Sequence, residues 1–253
     1  MNVLRILALV KMELKKIIRE PAYLFLMILF PAALTLVFGL AFGTLDTGIP
    51  GVNQFDMMTP GLFAYACIFI IMIVAQSFTD DREQGLLKRI SLTPTTSSEF
   101  MSSHIISNTI LSIVQVVIVT VCSVLIGFRP EGSIFGFLIA FMFMIILSIC
   151  SVGFGLICST IAKSSGTATA LSFIFILPQM FFGTFIPLTE TTRVIAYFLP
   201  SYYATESLSM ILIEGISLTD LSIWINLGIL SILSILIILL GILIFKRYGN
   251  KNF

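Results

Sequence analysis

Read for its apolar and polar positions, the chain falls into six long apolar blocks, roughly 22–43, 57–79, 101–127, 134–160, 166–187 and 221–245. None of them contains Asp, Glu, Lys or Arg. A helix that crosses the hydrocarbon core needs about 20 apolar residues, so each block predicts one span. Residues 1–20 follow a different pattern. Val3, Ile6, Leu7, Val10, Leu14, Ile17 and Ile18 fall on one helical face, with Arg5, Glu13, Lys15, Lys16 and Arg19 opposite. This periodicity predicts an amphipathic helix lying in the membrane interface, with Lys11, Lys15, Lys16 and Arg19 suited to anionic headgroups. It serves first as a basic anchor that sets topology and second as a surface for a partner. The expected architecture is an all-α integral membrane protein: an interfacial helix over 1–20, then a six-span unit over 21–253.

Between the second and third blocks lies Asp80 to Glu99, where seven of twenty residues are ionised: Asp80, Asp81, Arg82, Glu83, Lys88, Arg89 and Glu99. Such a run is expected to face water. Gly85 permits a turn after the second span, and Leu86, Leu87, Ile90 and Leu92 suit a short amphipathic helix. Thr93-Pro94 ends that helix, because the residue before a proline disfavours helical angles. Thr96 with Glu99 reads as a capping box that starts the third span. The predicted product, over about residues 80–100, is a short lateral helix between two spans, which makes a docking surface.

Later punctuation is equally specific. Glu20-Pro21 breaks the first helix and opens the first span, which ends at Gly39 and Gly43, a small-xxx-small pair that permits close helix contact. Ser151, Gly155 and Ser159 form a small stripe in the fourth span, read as a packing face rather than a pore. Pro178 removes a backbone donor in the fifth span and kinks it ahead of Phe181 and Phe182. Beyond Pro187, the segment Thr189 to Leu199 is too short to span, and the chain restarts at Pro200. A re-entrant or interfacial hairpin over 187–206 follows, with Tyr202, Tyr203 and Glu206 on its return arm. An outer gate built from Pro178, Phe181, Phe182, Pro187, Pro200 and Tyr202 is one reading; an aromatic belt at the headgroups is the other. The acids of the loop Thr44 to Asp56 are expected only to solvate it.

Composition agrees with the pattern. The chain is 58% hydrophobic and 11% charged, with mean hydropathy +1.09, against about 25% charged residues in soluble domains. With the N-terminus inside, the inner segments hold 12 of the 14 Lys and Arg residues, leaving only Arg129 and Arg193 outside. That asymmetry places both termini in the cytosol, in a multi-pass protein of the cell membrane. A cleaved signal peptide at 22–43 does not fit, since the block is too long and a charged helix precedes it. Cys67, Cys122, Cys150 and Cys158 fall in apolar blocks without metal-ligand spacing and read as core residues. His104, the single histidine, sits near the inner boundary and reads as an interfacial polar residue ahead of a proton-handling one.

Missing chemistry narrows the function. No Gly-x-x-x-x-Gly-Lys-Ser/Thr occurs, so the chain does not cradle ATP phosphates in that way. All 27 charges are expected in loops and ends, whereas a proton-coupled carrier usually buries at least one ionisable residue. An intramembrane hydrolase would want a Ser/His pair, paired acids or metal ligands at depth, and no catalytic or metal-ligating set is visible. Nothing suggests a nucleic-acid partner.

In Asp81-Arg82-Glu83, Gly85-Leu86-Leu87, Thr93-Pro94 and Glu99, the charged loop resembles the cytoplasmic loop of ABC-2 type transporter permeases, the membrane subunits of one class of ABC exporters. Leu86 stands where that family often has Thr, and Lys88 where it often has Glu. The likeness extends over nearly the whole chain. Arg19-Glu20-Pro21 is similar to the family's entry into the first span, the hairpin before the last span is similar to its external re-entrant element, and His104 stands near a common basic position. The resemblance implies a dimeric ATP-driven exporter permease without its own ATPase or cofactor. Cytosolic ABC ATPase subunits would grip Asp81, Arg82, Glu83, Gly85, Leu86, Leu87, Arg89 and Pro94. The entry and hairpin look closest to the drug-resistance, daunorubicin-exporter-like branch, which implies an amphiphilic drug-like or lipid-like cargo. A polysaccharide or teichoic-acid exporter permease is the alternative within the class, and an ATP-independent channel or secondary carrier the alternative outside it.

Overall fold

The computed structural model describes residues 2–49, 51–93, 95–185 and 189–248, and these residues are helical almost throughout. After α1 (Val3–Arg19) come α2 (Pro21–Phe42), α3 (Gln54–Glu83), α4 (Leu86–Ser91), α5 (Ser97–Ile126) and α6 (Ile134–Ile161). Then follow α7 (Ser165–Met180), a single π turn (Phe181–Phe185), α8 (Glu190–Ala196), α9 (Pro200–Leu212) and α10 (Leu221–Tyr248). Five described helices, corresponding to α3, α5, α6, α7 and α10, are long and apolar enough to cross a membrane. The 22 residues of α2 reach about 33 Å at 1.5 Å per residue, the thickness of the hydrocarbon core. This is an all-α integral membrane protein.

The centre of the bundle is α3, 89% of whose most apolar stretch is buried, packed against α2, α5, α6, α7 and α9. Its helix starts at a capping box in which Asn53 and Asp56 each accept the other's backbone N–H at 2.9 Å. Asp56, expected merely to solvate the preceding loop, therefore has a structural role and is buried. A central helix must be apolar on every side, which is why its sequence shows no amphipathic stripe. By contrast, α2, α5 and α10 leave many apolar side chains exposed, among them Leu40, Leu125 and Leu243, as helices facing lipid do.

Small residues set the closest approaches. A Cβ on Gly155 would lie 2.7 Å from Val74 Cβ and 2.8 Å from the Ile71 carbonyl oxygen, so α6 touches the backbone of α3 there. Ser151 and Ser159 of the same stripe are buried. A Cβ on Gly39 would meet the Ile126 side chain of α5 at 2.4 Å, whereas Gly43 has only its own helix's backbone nearby.

The outer hairpin differs in extent from the expected 187–206. Its return arm runs on to Leu212 as α9, and it is a core element: Pro200, Tyr203, Ala204, Leu208, Ile211 and Leu212 are all buried. A 13-residue helix is too short to span, and α9 is buried against α3 and α6. In the fifth span Pro178 lies inside α7, and the helix then widens into the π turn.

Candidate functional site

Where α1, the end of α3, α4 and the start of α5 meet, the chain forms an elbow whose geometry follows from local sequence. The turn out of α3 is made at Gly85, with φ +71°, a left-handed conformation that glycine adopts without strain. The short helix α4 follows at once, and the next helix opens with the capping box of Thr96 and Glu99. Glu99 also accepts the backbone N–H of Asn2 at 2.7 Å and lies 3.9 Å from the Arg5 guanidinium. One carboxylate thus ties the first turn of α1 to the first turn of α5.

Charges in this region do not all face water. Asp81 and Glu99 are buried, at 1% and 2% exposure, and so is Glu13 at 1%. The expectation that Glu13 lies on the polar face of α1 is not met. Ile6, Val10, Glu13 and Ile17 are the buried residues of that helix, and their spacing of four, three and four places Glu13 on the inward stripe. The expected apolar face is split, with Val3, Leu7 and Ile18 exposed on the other side of it.

Glu13 meets Asp81 and His104. His104 is fully buried, with Nε2 3.3 Å from Glu13 Oε1 and 3.5 Å from Asp81 Oδ2. Its ring is held edgewise between Phe78 and Phe100, at centroid distances of 5.1 and 4.5 Å. Lys16, one turn along α1 from Glu13, donates to Asp81 Oδ1. Burial raises the Glu13 carboxyl above its ordinary value, although Lys16 pulls it down. Burial also pulls the Lys16 ammonium down, yet the attraction of Asp81 and Glu13 outweighs this and leaves it raised. His104 is therefore no interfacial residue, and the expectation that every ion lies in solvated loops is overturned. The helical wheel of α1 carried the signal, since it places a carboxylate in line with three buried aliphatics.

The other residues expected to couple to a partner divide into two groups. Arg82 donates to the Ala162 carbonyl oxygen and Asp80 accepts from Ser165, so both turn toward the α6–α7 connection. Glu83 and Arg89 are exposed, Gly85 and Leu86 half-buried, and Lys11, Lys15 and Arg19 project outward from α1. Between α1 and α4 lies a cleft of about 280 Å³ lined by Met12, Lys16, Glu20, Asp81, Leu86 and Arg89. Pro94 and Pro187 lie outside the described residues, and only the backbone of Leu87 is described, within α4.

At the opposite end the π turn and α9, elements that carry several of the residues expected to form a gate, pack against each other. Gly183 of the π turn packs on α9 so closely that a Cβ there would lie 1.9 Å from Ser201 Oγ, and Ser201 donates to the Gln179 carbonyl at 3.2 Å. Phe185 rests 5.9 Å from Tyr65 and 5.7 Å from Phe38. Tyr202 lies 5.4 Å from Tyr197, whose carbonyl oxygen accepts from Tyr203 Oη at 2.8 Å. Phe181 is exposed and Phe182 half-buried.

With this arrangement, a central span followed by a short elbow helix at one end and a broken hairpin at the other, the family model for the ABC-2 type transporter matches residues 5–213. The chain belongs to that family. As an ABC-2 type permease it is a transport subunit and not itself an ATPase, and the match takes in α1, the elbow and the hairpin together. A comparison with curated proteins finds no match.

Proposed function

We propose that this permease forms, as a dimer in the cell membrane with both termini cytosolic, the translocation path of an ATP-driven exporter powered by cytosolic ABC ATPase subunits. The observation that carries the reading is the elbow: the short helix α4 joins two spans, with exposed Glu83 and Arg89 and a cleft separating it from α1. A partner element seated there would touch α1, α4 and the base of α3 at once. Arg82 and Asp81 act in this scheme from behind, by bracing the elbow, while Glu83, Leu86 and Arg89 offer the contact itself.

Co-purification tests it. A chain with Glu83→Ala, Gly85→Ala and Leu86→Ala is expected to lose at least about 90% of its association with a co-expressed ATPase subunit, the loss of a few contacts worth roughly 1.4 kcal/mol per tenfold. Undiminished association would exclude this docking surface.

The outer gate belongs to the same proposal. The π turn with Phe181 and Phe182, α7 through Pro178, and α9 from Pro200 through Tyr202 would close the path, with Pro187 in the connection. Gly183→Val is expected to jam that closure, since the collision is with Ser201 and the Tyr202 backbone nitrogen 3.3 Å away. Transport should fall to background while membrane expression and ATPase-subunit binding persist; wild-type transport by this variant would remove the hairpin from the gate. For cargo, the Phe- and Met-bearing fifth span supports an amphiphilic drug-like or lipid-like molecule over a polysaccharide. A secondary carrier is distinguished by transport in nucleotide-free vesicles.

A further inference from the structure

Glu13, Asp81 and His104 have a property that the exporter reading does not use. Both Glu13 carboxylate oxygens, Asp81 Oδ2 and His104 Nε2 are buried, and none has a hydrogen-bond partner. A buried polar atom left without a partner costs about 1–3 kcal/mol, and more when charged. One such atom from each residue lies within 4.8 Å of the other two, so the cluster lacks a partner that all three could share. Lys16 does not supply it, because its ammonium is committed to the other oxygen of Asp81. One cation also balances only one of the two carboxylates.

We propose that these three side chains form a binding site for a divalent transition-metal ion of the Zn²⁺ class, with Glu13, Asp81 Oδ2 and His104 Nε2 as ligands. Their ligand atoms all lie within 4.8 Å of one another. With Zn–N and Zn–O bonds of about 2.0–2.2 Å, the corners of a tetrahedron are roughly 3.3–3.5 Å apart. His104 Nε2 lies 3.3 Å from Glu13 Oε1 and 3.5 Å from Asp81 Oδ2, which is that edge length. Two carboxylates and an imidazole suit Zn²⁺ or a neighbouring first-row ion, whereas Mg²⁺ and Ca²⁺ prefer oxygen alone and in greater number.

The surroundings are consistent with such a site. Lys16 holds Asp81 Oδ1 and so aims Oδ2 inward, the service an outer-shell partner gives a ligating carboxylate. The imidazole has no such partner, as its Nδ1 is also without a hydrogen bond; Phe78 and Phe100 fix its plane instead. Lys16 and Asp81 also line the cleft between α1 and α4, which gives an ion a way in. Because the ligands come from α1, α3 and α5, the ion would pin the interfacial helix to the base of two spans.

The site shares Asp81 with the elbow but does not require the ATPase reading, and it is tested without it. Full-length, tag-free chain, purified in detergent and stripped with a chelator, is titrated with Zn²⁺ by calorimetry, and separately loaded with Co²⁺ for visible spectroscopy. One Zn²⁺ per chain is expected, with the intense visible bands of four-coordinate cobalt. Affinity should fall about 100-fold or more in Glu13→Gln and in His104→Gln, while Lys16→Met keeps the one-to-one stoichiometry. Absence of Zn²⁺ binding by the stripped wild type, Co²⁺ giving only the faint bands of a six-coordinate ion, or wild-type affinity retained in folded Glu13→Gln and His104→Gln would each overturn the assignment. The cobalt spectrum is read on the wild type, so the test holds even if a variant fails to fold.

Discussion

Replacement of Asp81 by alanine is expected to cost about 3–5 kcal/mol of stability, the range for removing one partner of a buried ion pair. Asp81 is 1% exposed and the Lys16 side chain 22%, so the ammonium is largely withdrawn from water and loses the group that compensates it. Of the two other acids near Lys16, Glu13 and Glu20, Glu13 faces His104 and cannot reproduce the lost contact without leaving it. A marked fall in the thermal unfolding midpoint of the detergent-purified chain is the readout. The double variant Asp81→Ala with Lys16→Met should be more stable than Asp81→Ala alone, because the stranded charge is removed with its partner. An Asp81→Ala protein within about 0.5 kcal/mol of wild type, the ordinary range for surface substitutions, would show that the pair carries no stability.

Gly155→Val is expected to be as severe. An added Cβ would stand 2.8 Å from the Ile71 carbonyl oxygen, and backbone in the middle of the central helix cannot move aside as a flexible side chain can. Overpacking of a core typically costs about 1–3 kcal/mol; here the upper end or beyond is expected, with poor recovery of monodisperse protein. Gly166 is the control, since nothing lies within 4 Å of a Cβ there. Gly166→Ala should leave recovery unchanged and raise the midpoint slightly, by the roughly 0.5–1 kcal/mol that separates alanine from glycine within a helix. Equal behaviour of the two variants would mean that the α3–α6 contact tolerates a larger gap.

Much of this fold is legible in composition and period because a bilayer imposes a simple rule: spans must be about 20 apolar residues long, and charges mark their ends. The capping box at Thr96 and Glu99, the turn at Gly85 and the small stripe at Gly155 are each local chemistry, so they too are visible in sequence. What is hidden depends on which neighbour a face meets. The chain from Pro200 to Leu212 looks like an interfacial arm by length alone, and only burial against α3 and α6 makes it core. The ions at Glu13, Asp81 and His104 sit 68 and 23 residues apart in sequence, so nothing local announces their meeting. Reading charge as exposure failed for all three. Glu13 alone was recoverable, from its register with Val10 and Ile17.

Asp80 and Arg82 hold the α6–α7 connection through Ser165 and the Ala162 carbonyl. The base of the central helix and the first turn of α7 are therefore clasped as one block. A displacement of the α4 step cannot leave the start of α7 behind unless both clasps break. The far end of α7 leads into the single widened turn at Phe181–Phe185, which holds one more residue per turn than its neighbours. If that turn tightens to the ordinary pitch, every residue beyond it advances by one position, and a small push at one surface becomes a rotation at the other.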